Sequence, residues 1–261
     1  MTKKQFKDMS IQVKLNGLSF CVLNKSSQKL EHLSSMSFGE KLTPFDVLNR
    51  LKDELASNTV FSEEFNSVSV IHYNELASLV PYALYDEALN AEYLKYNSKI
   101  LKTDFIASDV LKDNQMVSVY VPYININNYI FETFGEFSYT HASTIFIEAT
   151  GCISEEVDDA VLFVNMENQS MQVLLRRGNS VEFYNYFEFT TPEDFIYYLL
   201  FTCEQKHLNP DSIELKFTGD ISKEDEFYQI AYKYIRHVSI LENSKDFLIK
   251  NSFNANNFRT V

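Results

Sequence analysis

Apolar and polar residues alternate through Ile11–Leu15, with Ile11, Val13 and Leu15 on one side and Gln12 and Lys14 on the other, the period of a half-buried strand. Asn16-Gly17 follows, a pair suited to the tight primed turn of a hairpin, and Leu18–Leu23 returns as a second strand. Lys25-Ser26-Ser27-Gln28 turns again and Leu30–Phe38 is a third strand, so the chain opens on a β-meander. The period then changes. Phe45, Leu48, Leu51 and Leu55 recur at helical spacing behind Thr43-Pro44-Phe45-Asp46, where Thr43 can cap, Pro44 suits the first helical position and Asp46 meets the positive helix end. Ser67–His72 is the next strand, Ala83–Tyr96 a helix, and Val117–Val121 a buried strand closed by Pro122. Asn125–Phe134 reads as a helix ended by Gly135, and Phe137–Glu148 as a further strand or helix. Residues 1–9 are polar and expected to fray.

The second half repeats this order. Ala160–Met166, Met171–Leu175 and Val181–Phe189 are apolar-rich runs, and Thr191-Pro192-Glu193-Asp194 repeats the Thr-Pro-x-Asp helix start. Phe195–His207 is then a helix, Ile213–Phe217 a strand, Asp225–Tyr234 a helix and His237–Leu241 a final strand. Two β-β-β-α-β-α-β units in tandem predict an α/β fold with internal duplication. The polar, acidic stretch Gly151–Asp159 divides them, giving an N-terminal lobe over 1–150, a C-terminal lobe over 151–245 and an Asn-rich tail over 246–261. The carboxylates Glu155, Glu156, Asp158 and Asp159 in that stretch read as a solvated run.

Composition narrows the partners. Across 261 residues the formal net charge is −13, which repels phosphate backbones and anionic membranes at long range. Arg176-Arg177 is the one tight basic pair beyond the N-terminus and reads as a solvated hairpin end. No apolar run approaches the length of a membrane span, and Cys21, Cys152 and Cys203 have neither disulfide nor zinc spacing. A cytoplasmic setting is expected. Cys21 and Cys203 read as small buried hydrophobes, and His72 and His237 as structural residues at sheet edges. The aromatic run Phe195–Phe201 is apolar on nearly every face, so part of it is a candidate protein interface.

The tandem layout resembles the actin-like ATPase superfamily, whose RNase H-like lobes flank a cleft. The chain is also similar to the bacterial domain-of-unknown-function family 3822 over roughly Ile11–Glu242. That similarity rests on Leu15-Asn16-Gly17-Leu18-Ser19-Phe20, Tyr120-Val121-Pro122-Tyr123-Ile124-Asn125-Ile126-Asn127-Asn128, Phe134-Gly135-Glu136-Phe137 and Asp194–Thr202. Gly219-Asp220-Ile221-Ser222 and Tyr234-Ile235-Arg236 extend it. The resemblance implies an actin-like fold and leaves the function open.

In active members of that superfamily two Asp-x-Gly turns and a Gly-Gly turn hold Mg-ATP, because glycine lets backbone N–H groups approach phosphate and aspartate organises the metal. Against that pattern Leu15 replaces the first aspartate although Gly17 remains, Asn165-Met166-Glu167 replaces the second turn, and Thr218-Gly219-Asp220 keeps one glycine of two. Asp220 would oppose a polyphosphate by about 3 kcal/mol at ~5 Å and an effective dielectric near 20. The expectation is a pseudo-ATPase with no catalytic residues, no metal site and no cofactor, Mg-ATP being disfavoured. It would bind a protein partner or a second copy, not nucleic acid or membrane. The alternative is a binder of a nucleotide or other small ligand in the cleft without efficient hydrolysis, with candidate contacts Asn16, Gly17, Asn165, Gln169, Ser170, Thr218, Gly219 and Asp220.

Overall fold

The meander at the start of the chain forms as its alternation predicts: β1 (Lys7–Lys14), β2 (Gly17–Asn24) and β3 (Lys29–Ser37) pair in antiparallel order. The computed structural model describes residues 6–96, 98–153, 159–242 and 244–261. Residues 7–9, expected to fray, belong to β1 with Met9 buried. The hairpin turn differs from expectation. Its two loop residues are Leu15 and Asn16, Lys14 pairs with Gly17, and neither loop residue has positive φ, so the turn is not of the primed type.

Helix α1 (Pro44–Ser57) starts where predicted, with Thr43 accepting from the Asp46 amide at 3.3 Å and Pro44 in the first turn. Its buried stripe is Val47, Leu51 and Leu55, while Phe45 is exposed. Then come β4 (Ser67–His72), β5 (Ala77–Pro81), a short α2 (Asn90–Lys95), β6 (Ala107–Leu111), β7 (Met116–Tyr120), α3 (Ile124–Phe134), β8 (Ser138–His141) and α4 (Ala142–Gly151). The predicted helix over Ala83–Tyr96 is two 3-10 turns ahead of the six residues of α2. Gly135 ends α3 at φ 78°, a conformation that favours glycine.

The later elements are β9 (Ala160–Glu167), β10 (Ser170–Arg177), β11 (Ser180–Glu188), α5 (Pro192–Gln205), β12 (Glu214–Gly219), α6 (Glu226–Tyr234), β13 (His237–Ile240), α7 (Phe247–Asn251) and β14 (Arg259–Thr260). Thr191 and Asp194 form a full capping box at the start of α5.

The chain divides into two compact units. The first holds residues 1–111, 117–145 and 249–261, the second 112–116 and 146–248. In the first, a six-stranded sheet runs β14-β8-β4-β1-β2-β3. Its core packs Met9, Ile11, Val13, Phe20 and Val70 against Val47 and Leu51 of α1 and Ile126 and Ile130 of α3. The tail contributes β14, paired to β8. In the second, a five-stranded sheet runs β11-β10-β9-β12-β13, and Leu162, Val164, Met171 and Val173 pack on Phe195 and Leu199 of α5 and on Ala231 of α6. The two sheets share one topology, with an antiparallel meander whose first strand pairs in parallel with the strand after the helix. A smaller sheet, β5-β7-β6, completes the set. Glu155, Glu156 and Asp158 of the acidic stretch lie outside the described residues.

Candidate functional site

β9 and β12 run parallel and end together, so their C-terminal ends place Asn165, Thr218, Gly219 and Asp220 side by side. Asn165 lies within β9, three residues before its hairpin turn, and is fully buried. Its Oδ1 accepts a 2.8 Å hydrogen bond from Thr218 Oγ1, also fully buried. Gly219 adopts φ 84°, and a Cβ there would collide with the Met166 carbonyl oxygen and stand 2.9 Å from Asn165 Oδ1. This glycine therefore serves the close approach of β12 to β9. The three amides of the turn are all committed to protein carbonyls. Gly219 N donates to Ser244 O at 2.9 Å, Asp220 N to Met166 O at 2.8 Å, and Ile221 N to Gly219 O at 3.0 Å. The Asp220 side chain is exposed.

The neighbouring hairpin carries the other two second-unit candidates. Gln169 is exposed in the turn, with its carbonyl accepting from Phe189 N at 3.1 Å. Ser170 is buried and donates through Oγ to the Glu167 carbonyl at 3.0 Å. Asn16 and Gly17 belong to the first unit, in the β1–β2 hairpin. A Cβ on Gly17 would stand 2.5 Å from the Met36 carbonyl oxygen, so its glycine answers to β3. The carbonyls of Leu15 and Asn16 accept from Leu42 N and Phe38 N. Both hairpins share one register, Lys14 opposite Gly17 and Glu167 opposite Ser170, so the counterpart of Leu15 is Asn168 and not Asn165.

The donors and acceptors of these turns are largely engaged within the protein. Leu15 offers no oxygen ligand on its side chain, Asn165 Oδ1 is already hydrogen-bonded, and the turn amides at Gly219, Asp220 and Ile221 already have acceptors. Two polar atoms nearby behave differently. Asn165 and Gln172 sit directly opposite each other across β9 and β10, and Asn165 Nδ2 and Gln172 Oε1 are both buried without a protein partner. Gln172 Nε2 donates to Tyr184 Oη at 3.0 Å. The second unit also holds a cavity of about 670 Å³ by Ala160, Val161, His207, Glu214 and His237, at the N-terminal ends of the same strands, lined by none of the candidate residues.

Sequence reasoning missed two buried polar constructions. Asp109 is buried in the first unit and its carboxylate accepts from Tyr120 Oη at 3.0 Å, Thr140 Oγ1 at 2.6 Å, Thr144 Oγ1 at 3.0 Å and His141 N at 3.3 Å. Burial raises its pKa to about 6 against the pull of these donors. Two histidines lie close by, neutral and satisfied. His72 Nδ1 accepts from Tyr123 N while its Nε2–H faces Asn127 Oδ1, and His141 Nδ1 accepts from Ser143 N while its Nε2–H faces Asn74 O. Burial lowers both pKa values to about 3. His72 thus ends an interior strand, between β1 and β8, and not an edge; His237 does lie on the edge strand β13.

Arg176 is the second. Far from solvated, it is fully buried, with Nη2 donating to Ile147 O at 2.7 Å and Nε to Thr150 Oγ1 at 3.2 Å. A guanidinium there meets the negative end of α4, and Gly151 leaves room for it, since a Cβ would stand 3.2 Å from Nη2. Burial lowers its pKa to about 10. Only Arg177 is exposed, paired with Glu182 at 2.8 Å. Among the described residues no group of three or more His, Cys, Asp and Glu could hold a metal, and no helix is long and apolar enough to cross a membrane.

A family profile described as "Protein of unknown function (DUF3822)" matches residues 1–238. No curated protein matches the chain. Among solved structures, a Bacteroides thetaiotaomicron protein with an actin-like ATPase fold and unknown function superposes with a TM-score of 0.86 at 19% identity, covering 98% of each chain. The PilM–PilN type IV pilus biogenesis complex gives 0.58 at 13% identity, covering 91% of this chain and 88% of that one. The cytoplasmic domain of EpsL, an inner membrane component of the Vibrio cholerae type II secretion system, gives 0.52 at 9%, covering 96% of each. These likenesses establish the actin-like ATPase fold.

Proposed function

The chain belongs to the family described as "Protein of unknown function (DUF3822)", and we propose that it is an actin-like-fold protein working as a protein-binding or scaffold module without ATPase activity. One observation carries this reading: the amides of Gly219, Asp220 and Ile221, at the turn expected to meet phosphate, all donate to carbonyls of the protein itself. Freeing them would separate β12 from β9 and strand the carbonyls of Met166 and Ser244, at roughly 1–3 kcal/mol for each buried group left unpaired. Leu15 and the buried, hydrogen-bonded Asn165 support the same reading, because neither offers a carboxylate to magnesium. The fold likeness to a pilus biogenesis complex and a secretion-system component is consistent with a protein partner.

Affinity capture with the full chain from its native cell, compared with a Tyr197→Asp/Phe201→Asp variant, tests the binding role. Loss of a stoichiometric partner in the variant supports it, and absence of any partner for either form contradicts it. The second reading, a small-ligand binder, draws on Asn165 Nδ2 and Gln172 Oε1, a donor and an acceptor left over on facing residues. A thermal-shift screen of nucleotides and metabolites separates the two, since the first reading expects no nucleotide to raise the melting temperature.

A further inference from the structure

The six-stranded sheet of the first unit ends on its shortest strand. β14 has two residues, against four to nine in β8, β4, β1, β2 and β3. It pairs antiparallel with β8, Arg259 opposite Tyr139 and Thr260 opposite Ser138, and Val261 N donates to Phe137 O at 3.0 Å. The seat is firmly built. β8 pairs in parallel with β4 over all four of its residues, Phe137 and Tyr139 are buried, and Thr140 Oγ1 donates to the buried Asp109. The cover is lighter, with Thr260 exposed and Val261 49% exposed. Residues 255–258, just ahead of β14, form no helix or strand. Ser252 before them is buried and hydrogen-bonds Ser10 Oγ at 2.8 Å, so this anchor would hold the chain if β14 left β8.

We infer that β14 is an exchangeable strap, and that the β8 edge beneath it seats an extended, basic strand of a protein partner. The inference rests on the proposed protein-binding role and adds a seat for the partner in the first unit. Three observations name the occupant. The edge already holds an antiparallel strand, so the geometry for strand addition is present. That strand brings a positive charge. Arg259 Nη1 donates to Ser108 O at 3.1 Å, and its charge acts on the Tyr120 and Tyr139 hydroxyls, as does the opposite charge of Asp109. A chain with a formal net charge of −13 favours the same positive sign in an incoming segment. Exchange is favoured by the short ladder, since two paired residues open more readily than the longer strands behind them.

Fluorescence anisotropy of labelled peptides on the full chain tests this. Wild type is compared with Arg259→Glu/Val261→Pro, which removes the guanidinium and the Val261 N–H. The probes are the strap sequence NNFRTV, its acidic form NNFETV and an unrelated basic strand, TVTRTVT. Both basic peptides should bind the loosened variant at least ~10-fold more tightly than wild type, whose own strap competes from within the chain. NNFETV should bind that variant ~10-fold more weakly than NNFRTV. In wild type the Val261 amide should exchange with solvent roughly 100-fold faster than amides of β1 and β4. Protection of Val261 equal to that of β1 overturns the inference. So does a loosened variant that binds neither basic peptide, or binds the acidic one equally well. Binding of NNFRTV but not of TVTRTVT confines the seat to the chain's own strap and overturns a foreign occupant. Each of these results leaves the proposed function standing wherever affinity capture still finds a partner that depends on Tyr197 and Phe201.

Discussion

Gly219→Ala should destabilise the protein by about 3–4 kcal/mol with no nucleotide present. Two separate terms contribute. At φ 84° a non-glycine residue carries a backbone penalty of roughly 1–2 kcal/mol. The new Cβ would also collide with the Met166 carbonyl and crowd Asn165 Oδ1, pushing β12 from β9 and breaking the 2.8 Å bond from Asp220 N to Met166 O and the 2.8 Å bond from Thr218 to Asn165. Each such bond contributes about 0.5–1.5 kcal/mol. Gly39 provides the control, since it has nearly the same φ, 78°, and nothing within 4 Å of an added methyl group. Gly39→Ala should show the dihedral penalty alone, so the two variants should differ by about 2 kcal/mol. Urea unfolding followed by far-UV circular dichroism measures the difference, and hydrogen exchange at β9 and β12 locates it. Equal effects from both substitutions would refute the packing role assigned to Gly219.

Two further substitutions probe the buried polar constructions. Arg176→Ala should cost about 2–4 kcal/mol through its charge-assisted bonds to the end of α4, whereas Arg177→Ala, in an exposed pair, should cost under about 1 kcal/mol; chemical denaturation of the two variants checks the contrast. Asp109 has a folded pKa of about 6 against 3.8 for the free group, so the folded state holds its proton more tightly and the contribution is fullest below about pH 4 and lost as pH rises through 6. Asp109→Asn removes that dependence, and wild-type stability relative to the variant should fall by roughly 3 kcal/mol between pH 4 and 7, read from denaturation midpoints across the range.

What the sequence disclosed was local. Period-two alternation marked β1, and the Thr-Pro-x-Asp starts marked α1 and α5, because a cap and its amide lie three residues apart. The helix expected over Ala83–Tyr96 is cut to Asn90–Lys95, since Tyr82, Leu84, Leu89 and Tyr96 are exposed and little apolar burial supports a longer one. Arg176 was misread because its partners, Ile147 and Thr150, lie 29 and 26 residues away. Asp109 gave no signal for the same reason, its donors coming from β7, β8 and α4. Within the candidate site, the chemical identities of Asn165, Thr218 and Gly219 were readable. That the turn amides beside them point at Met166 and Ser244 depends on how β12, β9 and residue 244 meet, which no local pattern encodes.

Under the proposed function the turn at Gly219–Ile221, whose amides donate to the protein's own carbonyls, holds no phosphate. Isothermal titration of the full chain with Mg-ATP, with phosphate release followed on the same sample, tests it most directly. A closed turn predicts no saturable heat and no turnover above the spontaneous rate. Tight, saturable binding accompanied by phosphate release would contradict it.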